Sequence, residues 1–151
     1  MGSSYHKHGI NTFIETSVTY YIGLANSNDN RGTNNALEYS KNVTDDIVEP
    51  TGGGYVRLSV SMDNAIAIPT QNGQQIKNSN ELIFNFSGVI SSGISDGGNL
   101  NQVTHWFLCK LESGNSELLA SGKLDNAPIT PANNVKIVFP IGSIAIGIIT
   151  E

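Results

Sequence analysis

The sequence predicts an all-β protein: an antiparallel β-sandwich, of jelly-roll or immunoglobulin-like type, with about seven to nine strands. Three observations carry this. The apolar runs are of strand length, and several alternate with polar residues. Clusters of Gly, Asn, Ser and Pro separate them at the spacing of strand-connecting turns. Finally, Gln102-Val103-Thr104-His105-Trp106-Phe107-Leu108-Cys109-Lys110-Leu111 and Glu117-Leu118-Leu119-Ala120-Ser121-Gly122-Lys123-Leu124 flank Glu112-Ser113-Gly114-Asn115-Ser116, a pattern that reads as a β-hairpin.

In chain order, Ile10, Phe13, Ile14 and Val18 fit the period of a short amphipathic helix, while the β-branched content of the same stretch favours a strand. Residues 1–19 are therefore expected to form an N-terminal arm or short helix, and residues 20–151 a single sandwich domain. Thr19-Tyr20-Tyr21-Ile22-Gly23-Leu24 reads as the first strand. Residues 25–50 form a long polar excursion in which Leu37, Tyr39, Val43 and Ile47 could act as pins. Thr51-Gly52-Gly53-Gly54 turns into a strand over residues 55–60, and residues 65–68 form a short strand ended by Pro69, before a turn at Gln71-Asn72-Gly73. Leu82, Phe84 and Phe86 share one face of the next strand. A second polar loop follows over residues 91–101, then the hairpin, with His105, Phe107, Cys109 and Leu111 on an inward face and Trp106, Leu108 and Lys110 on the other. Val135, Ile137 and Phe139 alternate in a further strand, and residues 144–149 supply the last.

The 151 residues suffice to bury a core without disulfides or metal. Charged residues are only 14%, against roughly 25% in ordinary soluble domains. Neutral polar side chains fill the gap, including eighteen Asn. A surface of amides and hydroxyls carries little charge to desolvate on contact, which suits a protein that packs against neighbours. The net charge of −5 argues against nucleic acid, since phosphate binding needs clustered Lys and Arg, and His6-Lys7-His8 is the sole basic grouping. No window approaches the roughly 18 apolar residues of a membrane helix, and Met1-Gly2-Ser3-Ser4 does not lead into the apolar middle of a signal peptide.

Each candidate for chemistry has a plainer structural reading. His6 and His8 at i, i+2 lack the third and fourth ligands a zinc site requires, and His105 reads as a hydrogen-bonded core residue. Cys109 stands alone inside an apolar run and reads as a small buried side chain. Asp45-Asp46 with Glu49, and Asp96, lack a surrounding array of oxygens. Asn26-Ser27-Asn28-Asp29-Asn30-Arg31-Gly32 imitates a calcium loop but places Leu37 where the closing Glu belongs. Gly52-Gly53-Gly54 precedes a strand rather than a helix and is no phosphate cradle. No Gly-x-Ser-x-Gly elbow is present, and no pair of carboxylates stands out for glycoside hydrolysis. The sequence thus nominates no catalytic, cofactor-binding or metal residue and implies no cofactor.

Laid out along these strands, Tyr21-Ile22-Gly23-Leu24, Gly52-Gly53-Gly54-Tyr55-Val56-Arg57, Asn78-Ser79 before Leu82-Ile83-Phe84, Val103-Thr104-His105 and Leu119-Ala120-Ser121-Gly122-Lys123-Leu124 follow one another in the order found in a family of short proteins of tailed bacteriophages. The chain resembles that family, whose members are named tail fibre or minor virion proteins, over roughly residues 20–149. It departs where Asn85-Phe86 stands for the usual Phe-Pro and Asn101-Gln102 for the usual Trp-Gly. The resemblance implies a β-sandwich structural module with no catalytic residues to carry over. A compact chain with an arm fits a capsid decoration (cement) protein better than a long fibre. The expected partners are then the major capsid protein or other virion proteins and further copies of the chain, a trimer by analogy, with no nucleic acid and no membrane. The expected location is the virion, on the capsid surface or tail, after assembly in the bacterial host cytoplasm. A tail or tail-fibre-associated module is the nearest alternative. A carbohydrate-binding sandwich, with Tyr5, Tyr39, Tyr55 and Trp106 as stacking candidates, and a hydrolase are the rivals from other classes.

Overall fold

In the computed structural model of the chain, the described residues are 4–5, 19–26, 43, 47–62, 66–67, 73–91 and 101–149. They form β1 (Ser4–Tyr5), β2 (Thr19–Ala25), β3 (Leu58–Ser59), β4 (Ile66–Ala67), β5 (Gly73–Lys77), β6 (Leu82–Asn85), β7 (His105–Glu112), β8 (Asn115–Lys123), β9 (Lys136–Phe139) and β10 (Ala145–Ile149). The protein is all-β. Every strand pairing is antiparallel, in a five-stranded sheet ordered β1-β8-β7-β2-β3, a three-stranded sheet ordered β10-β5-β4 and a two-stranded sheet β6-β9.

The expected hairpin is β7–β8. Its two-residue loop, Ser113-Gly114, has positive φ at both positions (52° and 82°), the geometry whose twist matches that of the flanking strands. The register shifts between Leu108 and Cys109: Leu108 opposes Ala120, whereas Cys109 opposes Leu118. Leu119 is thus the extra residue of a β-bulge, which lets the consecutive Leu118, Leu119 and Ala120 all be fully buried.

One face of the five-stranded sheet buries Ile22, Leu24, Trp106, Leu108, Leu119 and Ala120. The smaller sheets bring Ile76, Leu82, Phe84, Ile137, Phe139 and Ile146 into the same core. The opposite face buries Ala25, Phe107, Cys109 and Leu118 under Val43 and Ile47. An inward and an outward face were expected for β7. Instead the sheet is covered on both sides, so its central strand reads as a continuous apolar run rather than an alternating one. On β6 and β9 the alternation holds, with Leu82, Phe84, Ile137 and Phe139 buried and their neighbours exposed.

The structure differs from the sequence reading in three places. The strand foreseen over residues 55–60 shrinks to Leu58–Ser59, because side chains rather than backbone fasten residues 55–57 to the sheet. The unforeseen β5 runs through Gln74-Gln75-Ile76 and is held by pairing with β10, Ile76 opposite Ile146. At the N-terminus, Ser4–Tyr5 pairs with Ser121 and Ala120 of β8, so part of the expected arm is an edge strand of the protein's own sheet. The helix candidate at residues 10–18 lies outside the described residues.

Candidate functional site

A polar cluster gathers around Arg57. Its guanidinium forks onto Glu49, with Nε donating to Oε1 at 2.7 Å and Nη2 to Oε2 at 2.8 Å. Nη1 donates to Ser116 Oγ at 2.8 Å and lies 3.9 Å from Cys109 Sγ, while the fork's carbon sits 5.7 Å from the centre of the Phe107 ring. Tyr55 completes the cluster: its hydroxyl donates to Glu49 Oε1 at 2.7 Å and accepts from the backbone N–H of Leu24 at 3.0 Å. One carboxylate therefore takes three charge-assisted or hydroxyl hydrogen bonds, and both partners of the ion pair are about one-fifth exposed.

The local sequence explains this convergence. Beyond Ile22, β2 loses its backbone partner β3. The Tyr55 hydroxyl takes the Leu24 N–H in its place, and Val48 O takes the N–H of Asn26. Tyr55 also lays its ring parallel to Phe84, centroids 6.0 Å apart, so it is anchored in the core and fastened at its tip. The preceding turn demands glycine. Gly53 has φ +58°, and a Cβ there would lie 2.7 Å from Gly88 O. Gly53 O in turn accepts from Ser87 N, so the turn is packed on the loop after β6.

The electrostatics are those of a closed structural cluster. The hydrogen bond to Glu49 raises the Arg57 pKa, so the guanidinium stays charged. Burial, with the Glu49 carboxylate nearby, pushes the Tyr55 phenol far above its ordinary range. Burial likewise pushes the Cys109 thiol up to about 11, which leaves it protonated and unreactive near neutrality.

Two further motif residues are spent in the same way. Asn78 is fully buried; its Nδ2 donates to Asn80 O and Pro140 O, and its Oδ1 accepts from Ile144 N. It thereby ties the segment after β5 to the turn before β10. His105 is 1% exposed, with Nδ1 2.8 Å from Thr104 Oγ1, and Thr104 N donates to Ala25 O. It is the core histidine that the sequence suggests.

Other nominated residues fare differently. Trp106 is fully buried and has no face free for a sugar, whereas Tyr55 is partly exposed with its ring stacked on Phe84. Glu49, weighed with Asp45-Asp46 as an acidic cation site, is instead the partner of Arg57. His6, His8, Tyr39, Asp45, Asp46, Asp96 and residues 27–32 lie outside the described residues. Among the described residues, no three His, Cys, Asp or Glu come together as a metal site, and no helix is long and apolar enough to cross a membrane.

Two shallow grooves flank the two-stranded sheet. One, of about 220 Å³, runs between residues 54–58 and β6 and is lined by Tyr55, Val56, Leu58, Ile83 and Phe84. Another of about 220 Å³ lies between β9 and residues 124–129, where Asp125 and Lys136 are its charged members. Val56 is 63% exposed, and Ile83 and Val138, directly opposed across β6 and β9, are 38% and 45% exposed.

The Glu49–Tyr55–Arg57 cluster escaped sequence reasoning. The signal that could have found it is the scarcity of charge: Arg57 lies among apolar residues in a chain with only eight Lys and Arg. Comparison with protein families, with curated proteins and with solved structures finds no match.

Proposed function

We propose that this chain is a non-enzymatic structural protein of a tailed-bacteriophage virion, a β-sandwich that decorates the capsid and stabilises the head through protein–protein contacts. The observation that carries the proposal is where the polar motif residues go. Glu49, Tyr55 and Arg57 fasten the end of the long excursion to the central sheet, Asn78 ties two turns together, and His105 is sealed in the core. Of the residues that resemble the phage family, Tyr55, Arg57, Asn78 and His105 are thus spent on holding a shape. What the described surface offers to partners is sheet edges, exposed Val56, Ile83, Val138 and Ile141, and an apolar groove beside β6. Such features favour contact over chemistry, and few charges need to be desolvated when they are covered.

The test is to mix the purified protein with expanded, undecorated heads and sediment the particles. Saturable co-sedimentation at a fixed ratio to the major capsid protein is expected. Its absence, with gold-labelled antibody marking tails instead, would move the protein to the tail-associated alternative.

A further inference from the structure

We propose that the free edge of β9 pairs with the same edge of a second copy of this chain, antiparallel and about a two-fold axis at Ile137. The backbone sets up the contact. Phe86 N donates to Val135 O just beyond the β6–β9 ladder. Alternation along the strand then turns the N–H and C=O of Ile137 and Phe139 toward β6, and those of Lys136 and Val138 away from it. Among the described residues β6 is the one strand beside β9, and neither Lys136 nor Val138 has a hydrogen bond on the outer side. An edge of this kind is a template for another strand.

The side chains select the register. Centred on Lys136, two antiparallel copies of β9 would set one ammonium group directly opposite the other, which destabilises the pairing. Centred on Val138, Lys136 would face Pro140, which has no N–H to give. Centred on Ile137, Lys136 faces Val138 twice over, and each of these two pairs exchanges two hydrogen bonds. Every outward N–H and C=O of the two residues then has a partner. The Lys136 stem also lies along the Val138 side chain, which is 45% exposed in the single chain.

Charge names the second copy as the occupant. The groove between β9 and residues 124–129 holds one charge of each sign, Asp125 and Lys136, and neither is in an ion pair within the chain. Pairing brings Lys136 of the second copy to the groove that carries Asp125, and the reverse by symmetry. A foreign strand would match the backbone alone. The contact is isologous and closes on itself, so it joins copies in twos, where the phage resemblance implies a trimer. With one short strand from each chain it is a small interface, and association is weak and rises with concentration.

The experiment uses two full-length single variants, Lys136→Cys and Val138→Cys, both at exposed positions. In this register position 136 of one chain faces position 138 of the other, at a separation that a disulfide can close. Two copies of position 136, or of position 138, are diagonal neighbours roughly 7–8 Å apart, beyond its reach. Each variant alone and an equal mixture are oxidised at rising concentration and resolved without reductant, with joined peptides identified by mass. Native Cys109 is buried and stays out of the chemistry. The proposal expects the 136–138 species in the mixture, several-fold above the joined species of either variant alone. Sedimentation equilibrium of the unchanged chain should show pairs that grow with concentration. Val138→Pro, which removes an N–H facing away from β6, should abolish them. A mixture that joins no more than either variant alone, or an unchanged chain that stays single up to millimolar concentration, overturns the proposal. Neither measurement uses phage heads, so this contact and the virion role fail separately.

Discussion

Replacing Arg57 with alanine tests most sharply whether the polar cluster holds the fold. The substitution removes both limbs of the fork to Glu49, the bond to Ser116 and the guanidinium over Phe107. Breaking a fully buried ion pair costs about 3–5 kcal/mol, whereas an exposed pair is worth about 0–1. With both side chains about one-fifth exposed, the pair belongs nearer the buried limit. The expected loss is about 3 kcal/mol, including the stem packing that leaves with the side chain. Lysine keeps the charge but not the planar fork, so Arg57→Lys should still lose about 1–2 kcal/mol. Urea denaturation, followed by the fluorescence of the single Trp106, gives these differences from the midpoints provided the slope is unchanged. A double-mutant cycle with Glu49→Gln should return about 1–2 kcal/mol of coupling. An Arg57→Ala loss within about 0.5 kcal/mol, the size of an ordinary surface change, would refute the assignment of this cluster to the fold.

Three other perturbations follow from the same geometry. Tyr55→Phe strands the Leu24 N–H and removes one bond from Glu49, so it should cost about 1–3 kcal/mol in the same denaturation assay. Gly23→Ala would drive a Cβ into the Phe107 ring, which is fully buried and cannot step aside; a loss of about 2–4 kcal/mol, partly recovered by adding Phe107→Leu, is expected. Because folding lifts the Cys109 pKa from 9.0 to about 11, the folded chain holds this proton more tightly than the unfolded one. The Cys109 contribution to stability should therefore be full below pH 9 and be lost as pH rises through 11, by on the order of 3 kcal/mol. A Cys109→Ala variant measured in parallel should lack that part of the slope.

Much of the fold is legible wherever local pattern and tertiary role agree. β7 and β8 stand out because a Gly-bearing turn joins two long apolar runs, and β6 and β9 because Leu82, Phe84, Ile137 and Phe139 alternate toward one core. The pattern misleads where tertiary contacts override it. Tyr55-Val56-Arg57 has strand-like residues, yet its fastenings are the Tyr55 hydroxyl on Leu24 and the Arg57 fork on Glu49, so the ladder begins only at Leu58. In β5, Gln74 and Gln75 carry no apolar signal, and the strand exists because β10 pairs with it. The second cover, Val43 and Ile47 over Phe107, hides the alternation of β7 altogether.

The polar cluster was less legible still. A carboxylate at the end of a long excursion and an arginine eight residues later have no periodic relation. Only the fold brings them to Ser116 and Phe107 on the central hairpin. By contrast, His105 could be assigned to the core from its place in an apolar run, because a strand buried on either face gives that answer.

The proposed role, a building block of a phage virion, is tested most directly by electron cryo-microscopy of particles purified from a culture that produces this chain. The account predicts density that fits the five-stranded sheet and its two smaller partners, repeated on the outer surface of the head lattice. Particles that lack the chain at both head and tail, with the protein recovered free in the infected host, would contradict it.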